Sequence, residues 1–258
     1  MAYMKEESVA NVGNERFNAE AAAWDSNPFV HAMSLEAWKA IQIYLPSLFS
    51  QGSAHKLNVL EVGCGTGLLS FAVAPAVHQL VAIDSAEGMI EVLSSKLNAK
   101  DAPQNIFPLA ILLEDPEDKR LPPADDAHPD GPRRKYDLVI SHLVLHHIAD
   151  LKSVLRTILG CLKEGGVVAL TDYEDFGPDA RRFHPASKMD GVEHHGIPRD
   201  WMATLMKEVG FKDVRVEVAW SHSKLVETYP GEFNDGKPET GQGEMMKFTY
   251  LICLGQKA

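Results

Sequence analysis

The sequence predicts an α/β fold, a doubly wound and mostly parallel sheet within one domain spanning residues 1–258. Three observations point there. Residues 57–62 form a short apolar run that enters a turn with glycines at 63, 65 and 67, and a helical stretch follows. Short strand-like runs then alternate with helical segments as far as residue 211. Finally, the chain closes with two strand-like segments and no helix between them, so this last pair is antiparallel.

A chain of 258 residues with 45% apolar and 24% charged side chains can fill one core without a second domain. The formal net charge is −11, and the longest basic run is Arg133-Arg134-Lys135. That balance argues against a nucleic-acid partner, because phosphate backbones require a basic surface. The three cysteines, Cys64, Cys161 and Cys253, form no C-x-x-C pair and read as packed small residues. The first residues lack an apolar signal core, and no apolar run reaches a membrane-spanning length. A cytoplasmic protein with no membrane partner is therefore expected.

Taken in order, residues 1–14 are polar and aperiodic and are expected to be disordered. A helix carrying Phe17 and Trp24 follows. Pro28 is expected to break the chain before a second helix over 34–49 that buries Leu35, Trp38, Ile41, Ile43 and Leu45. The glycine turn is the centre of the chain. Glycines at alternate positions allow left-handed backbone and close ligand approach, and the next helix aims its free N–H groups at the same place. A dinucleotide fingerprint would need glycine at 68, where the chain has Leu68. The second strand ends at Asp84, 21 positions after Gly63, where a carboxylate can accept both hydroxyls of a ribose. Ser85 or Asp84 can also cap the following helix. A third strand is expected over 105–113, ending at Glu114 and Asp115, and 116–135 reads as a surface loop. The fourth strand runs to Ser141 and His142. Asp150 caps the next helix, and the fifth strand ends at Asp172 and Tyr173. Residues 174–197 break the alternation and hold His184, His194 and His195. His146 and His147 are adjacent and have no acid or cysteine at zinc spacing. Their ranking is structural first, substrate-facing base second and metal last, and no metal site is expected.

The run Glu61-Val62-Gly63-Cys64-Gly65-Thr66-Gly67 resembles motif I of the class I, Rossmann-like S-adenosylmethionine (SAM) methyltransferases, E/D-x-G-x-G-x-G. Asp84-Ser85 with Met89, Tyr136-Asp137-Leu138-Val139 followed by Leu145-His146-His147-Ile148-Ala149-Asp150, and the Gly165-Gly166 entry to the fifth strand resemble further motifs of the small-molecule, type 11 or UbiE-like group. The resemblance covers residues 17–257. It implies a seven-stranded sheet with an antiparallel last strand, lid helices over 15–52, and a substrate-pocket insertion at 174–197 containing the segment Val192-Glu193-His194-His195-Gly196-Ile197. It assigns the cofactor to Trp24 of the lid, to Glu61, Gly63, Cys64, Gly65 and Gly67, and to Asp84, Ser85 and Met89. Further contacts are implied from Leu113, Glu114 or Asp115, which meet the adenine, and from Ser141 and His142.

The implied activity is in-line transfer of the SAM methyl group to an O, S, N or C nucleophile of a small molecule, leaving S-adenosylhomocysteine. Candidate catalytic residues are His142, His146, His194, His195 and Tyr173, with Asp172 or Tyr173 placing the acceptor. A neutral or apolar acceptor is expected, with the protein a monomer or homodimer. Two rivals remain: a non-catalytic SAM-binding protein acting through a partner, and an NAD(P)-dependent oxidoreductase.

Overall fold

A computed structural model describes residues 10–49 and 56–258. Two helices, α1 (Ala10–Trp24) and α2 (Pro28–Tyr44), precede the sheet. Then follow β1 (Asn58–Val62), α3 (Leu68–Val73), β2 (Gln79–Asp84), α4 (Glu87–Leu97), β3 (Ile106–Ala110), β4 (Tyr136–His142) and α5 (Leu151–Cys161). The chain ends with β5 (Leu162–Tyr173), α6 (Arg199–Val209), β6 (Lys212–Val226) and β7 (Glu244–Gln256).

The seven strands lie in the order β3-β2-β1-β4-β5-β7-β6. The first five are mutually parallel, and β7 runs antiparallel to both β5 and β6. This is the expected doubly wound sheet. Its centre is buried on both sides, as parallel sheets between helices must be. Val59, Leu80, Leu138 and Ile140 face a layer with Ile41 of α2, Leu69 and Val73 of α3 and Leu93 of α4. Their neighbours Leu60, Val81 and Val139 face Leu155 and Ile158 of α5 and Met202 and Met206 of α6. The period-two alternation thus sends successive residues of one strand into two cores.

Several boundaries differ from expectation. Helix α1 already includes residues 10–14, where disorder was expected; residues 1–9 lie outside the described residues. The Asn14 side chain accepts a hydrogen bond from Ser85 Oγ at 2.9 Å, so docking, not local periodicity, orders this end. Pro28 starts α2 at its first turn instead of breaking the chain, with Asn27 as cap accepting from the Phe29 N–H. The buried face is Met33, Ala37, Ala40 and Ile41, and Leu35 and Ile43, each two positions from a member of it and so on the opposite side of the helix, are exposed at 53% and 72%. Residues 50–52 of the expected lid lie outside the described residues. Strand β3 ends at Ala110, not at residue 113, and as an edge strand it accommodates Pro108. Strand β6 continues to Val226, longer than its alternating core suggested.

Candidate active site

Strand order reverses between β1 and β4, and ligands of such sheets bind beyond the carboxyl ends of the strands at that point. The glycine loop leaves β1 there. Gly63, Gly65 and Gly67 all have positive φ, at 72°, 53° and 85°, so each occupies backbone that side chains resist. Their surroundings differ. A Cβ on Gly63 would lie 2.3 Å from Val144, and one on Gly67 would lie 2.5 Å from Leu93, whereas a Cβ on Gly65 would meet nothing within 4 Å. Gly65 therefore borders the space where a ligand fits, while the other two allow close packing.

Asp84 organises the loop. One carboxylate oxygen accepts from the Gly65 N–H at 2.8 Å and the other from the Ala86 N–H at 2.9 Å. Burial pushes its pKa up, and these donors pull it back. Glu61 lies beneath the loop, 2% exposed, accepting from Ser70 Oγ of α3 at 2.6 Å. Burial, reinforced by the charge of Asp84, pushes Glu61 up to about 8 although Ser70 opposes it. Cys64 is buried and its thiol is raised by burial, so it packs and does not react.

Helix α1 lies over this loop and α4. The Gly88 N–H donates to Asn18 Oδ1 at 2.8 Å, and Phe17, Ala21 and Trp24 pack with Ala86 and Met89. Asp25, just past α1, accepts from Thr66 Oγ1 in the glycine loop and pairs with Lys96 at 2.6 Å; Lys96 also donates to the Thr66 carbonyl at 2.8 Å. Trp24 and Met89 thus pack together beside the loop, and Ser85 bonds Asn14 of α1. Asp25 and Lys96, which no sequence motif marks, fasten the end of α1 to the glycine loop.

The third-strand acids go elsewhere. After Ala110 the chain turns down the flank of α5, where the Glu114 carbonyl accepts from Thr157 Oγ1 at 3.0 Å. Asp115 acts electrostatically on Cys161, at the end of α5 nearest the amino-terminal edge of the sheet. Glu114 and Asp115 are exposed there, and Leu113 is buried in the α5-side core. The structure does not bring these three to the loop, because the turn after β3 reverses the chain. Ser141 is 1% exposed and donates to the Val62 carbonyl at 2.7 Å, joining β4 to β1.

On the β4–β5 side the structure gathers histidines and aromatics. Leu143 leaves β4 with φ of 55°, a costly value for leucine, and turns the following residues across the strand ends. His146 is 2% exposed, and its Nδ1 lies 2.8 Å from Oδ1 of the fully buried Asp172. A carboxylate only accepts, so Nδ1 carries the proton of this bond, and Nε2 on the far side of the ring has no partner. Asp172 also accepts from the His146 and Tyr173 N–H groups. Tyr173 stacks on Phe183 at 3.9 Å, and its hydroxyl donates to the His194 carbonyl at 3.2 Å.

The other histidines divide. His142 bonds Thr171 through Nδ1 at 2.9 Å, and burial pushes it down to about 4, leaving a poor proton acceptor. His194 donates from Nε2 to the Ile148 carbonyl at 3.0 Å and lies against Trp201 of α6, so it braces the insertion. His195 meets Arg181 at 3.0 Å, away from the His146 group. Instead it is His184, in the same insertion, whose ring lies 5.1 Å from that of His146. The insertion closes on itself through a bridge between Glu174 and Ile197, and its Glu193 and His194 N–H groups donate to the His146 carbonyl. Arg16 of α1 and Lys224 of β6 bring positive charge against His184.

The sheet, the glycine loop at its switch point and the strand-end acid define a doubly wound α/β domain. Residues 60–168 match the family model described as a methyltransferase domain. That match spans the glycine loop and most of the parallel sheet, and it supports a class I, SAM-dependent methyltransferase domain with SAM as its cofactor. It is 29% identical over 133 residues to the tRNA 5-carboxymethoxyuridine methyltransferase of Escherichia coli, covering 52% of this chain and 46% of that protein. It is also 29% identical over 155 residues to the ubiquinone biosynthesis O-methyltransferase of Bordetella bronchiseptica, covering 60% and 57%. The chain spans about half the length of the curated relatives it matches. A possible histamine N-methyltransferase from Thermotoga maritima shares the fold at a TM-score of 0.59 and 15% identity, covering 95% of this chain and 100% of that one. Among the described residues, no helix is long and apolar enough to cross a membrane.

Proposed function

We propose that the protein methylates a small molecule whose acceptor atom is presented at His146, beside the ends of β4 and β5. The carrying observation is the buried, partnerless Nε2 of His146, whose ring is fixed through Nδ1 by Asp172. When bound, SAM supplies a methyl group already activated by its sulfonium sulfur, so the chain's own task is to position and to exclude water.

The open side of Gly65 and the Asp84 carboxylate fit a ribose-bearing ligand. Helix α1 covers it. Phe29 and Met33 of α2, Tyr173 and Phe183 form an apolar wall beside the acceptor. Asp172 holds the His146 ring so that Nε2 meets the acceptor heteroatom. An imidazole placed in this way serves an acceptor by taking its proton or by holding a cation that acidifies it.

The cations facing this corner revise the expectation of a neutral or apolar acceptor. Arg16 donates to the Lys188 and Asp190 carbonyls and keeps a buried Nε without a partner. Burial, with the nearby charge of Lys188, pushes Lys224 down to about 7. Such a corner favours an acceptor with an anionic group. The test is calorimetry with SAM, followed by mass spectrometry for S-adenosylhomocysteine formed with carboxylated phenols, thiols and amines. Micromolar SAM binding and turnover favouring carboxylated over neutral acceptors are expected. No SAM binding would overturn the reading.

A further inference from the structure

His146, His147 and His184 each offer one ring nitrogen, and the three nitrogens lie within 4.8 Å of one another. The histidines come from two distant segments, the turn after β4 and the insertion after β5. Their tautomers point the same way. His146 gives its Nδ1 proton to Asp172, and His147 gives its own to the Gly191 carbonyl at 2.6 Å, so both rings keep a lone pair on Nε2. This is how proteins orient imidazole ligands, with the far N–H tied to a carboxylate or carbonyl. The Nε2 atoms of His146 and His184 are buried without hydrogen-bond partners, which is costly unless something binds there.

We propose that His146, His147 and His184 form a tris-imidazole site for a divalent transition metal of the zinc type, whose remaining position is open to the anionic oxygen or sulfur of the methyl acceptor. The inference rests on the methyl-transfer reading for its acceptor, but the metal site stands on the histidine geometry. Nitrogen ligands at about 2.0–2.1 Å in tetrahedral geometry sit about 3.3 Å apart, so the nitrogens, within 4.8 Å of one another, need to close by at most about 1.5 Å. Three imidazoles with no thiolate or further carboxylate in the cluster suit zinc and its neighbours, not calcium or magnesium.

The electrostatic surroundings are mixed and informative. Asp172 supplies one buried negative charge through His146. Arg16 and Lys224 face the cluster with positive charge, opposing a bare dication. An anionic ligand in the open position resolves that opposition, and the two cations then become its outer partners. The open position gives the acceptor a place where its O–H or S–H is acidified, the proton leaving to water.

The test uses the full chain, stripped with a chelator and dialysed, then titrated with zinc chloride and separately with cobalt chloride. One equivalent of zinc, bound at micromolar affinity or tighter, and a visible tetrahedral cobalt spectrum are expected. His147→Ala and His184→Ala should each weaken zinc at least ~10–100-fold, a loss like that seen when metal-site residues are altered. His128→Ala, a surface change, should leave it unaltered. Absence of zinc binding by the wild-type chain overturns the site, as does binding that both cluster variants retain. Circular dichroism with the milder His184→Gln separates lost ligation from lost folding. SAM titration of the same samples keeps the two readings apart. SAM bound without zinc removes only the metal, whereas no SAM binding removes the methyltransferase reading itself.

Discussion

Replacing Asp84 with alanine tests the centre of the cofactor site. In the wild-type protein each oxygen of Asp84 accepts one backbone N–H, from Gly65 at 2.8 Å and Ala86 at 2.9 Å. Its removal orphans two donors and also takes away the acceptor for a ribose. A hydrogen bond to a charged group contributes about 1.5–3 kcal/mol, and with about 1.4 kcal/mol per decade the SAM dissociation constant should rise about 10–150-fold. The orphaned donors, each costing ~1–3 kcal/mol if left dry, should also lower the melting temperature. Calorimetry and thermal unfolding should be read on the same preparation. Asp84→Asn retains one acceptor but turns an N–H donor toward a backbone N–H, so it should fall between alanine and wild type. A lowered melting temperature with SAM affinity within twofold of wild type would make Asp84 a loop brace only, and refute its contact with the cofactor.

Three further expectations follow from single residues. Gly65→Ala should fold, because its Cβ meets nothing within 4 Å, yet lose SAM affinity since the methyl enters the ligand space; its left-handed φ of 53° adds about 1 kcal/mol of strain. Equal affinities for the variant and wild type would place the cofactor elsewhere. Glu61 is raised from 4.5 to about 8 in the folded chain, so the folded state holds that proton more tightly. Its stabilising contribution is complete below the unfolded pKa and is lost as pH rises through the folded one, by up to about 1.4 kcal/mol per unit. Glu61→Gln should therefore flatten the decline of melting temperature between pH 5 and 8, whereas parallel curves would show that Glu61 is not buried as described. Lys96→Met removes the cation that ties Asp25 to Thr66; at about 1 kcal/mol for a partly exposed pair, SAM should dissociate about fivefold faster. Stopped-flow release at the wild-type rate would end the lid assignment.

The sheet was legible because its signals are local. Apolar runs such as 138–140 and the glycines at 63, 65 and 67 declare themselves within a few residues, and Asp84 was found by its distance from Gly63. What failed was directional. Leu35 and Ile43 are apolar but lie on the helix face opposite Ala37 and Ile41, so hydrophobicity alone does not mark them as exposed. Glu114 and Asp115 stood at the right place along the chain, but reversal after β3 carried them down α5. The histidine cluster is illegible for another reason. His184 lies 38 positions beyond His146, and only closure of the insertion onto the His146 carbonyl brings them together. No pattern in spacing marks that. The neighbouring pair His194-His195 drew attention instead, yet His194 spends its Nε2–H on the Ile148 carbonyl.

Charge shows why the site should select a small anion even though the chain as a whole is acidic. A net charge of −11 repels polyanions at long range, and the tRNA-modifying relative does not alter that, since RNA binding needs basic side chains spread over an accessible face. Here the cations that matter are turned inward. Arg16 reaches the cluster from the lid helix, and Lys224 reaches it from β6, its Nζ 4.0 Å from the centre of the Phe183 ring. Surface charge falls off within roughly 10 Å at ordinary ionic strength, so a small ligand that has entered the corner experiences the local field instead. Arg16 also belongs to the element that covers the cofactor. An anionic acceptor that pairs with it would draw α1 down over the glycine loop, coupling acceptor binding to retention of SAM. That coupling requires the two ligands to strengthen each other's binding by the same factor, and Arg16→Met should abolish it while leaving SAM binding in the absence of acceptor intact.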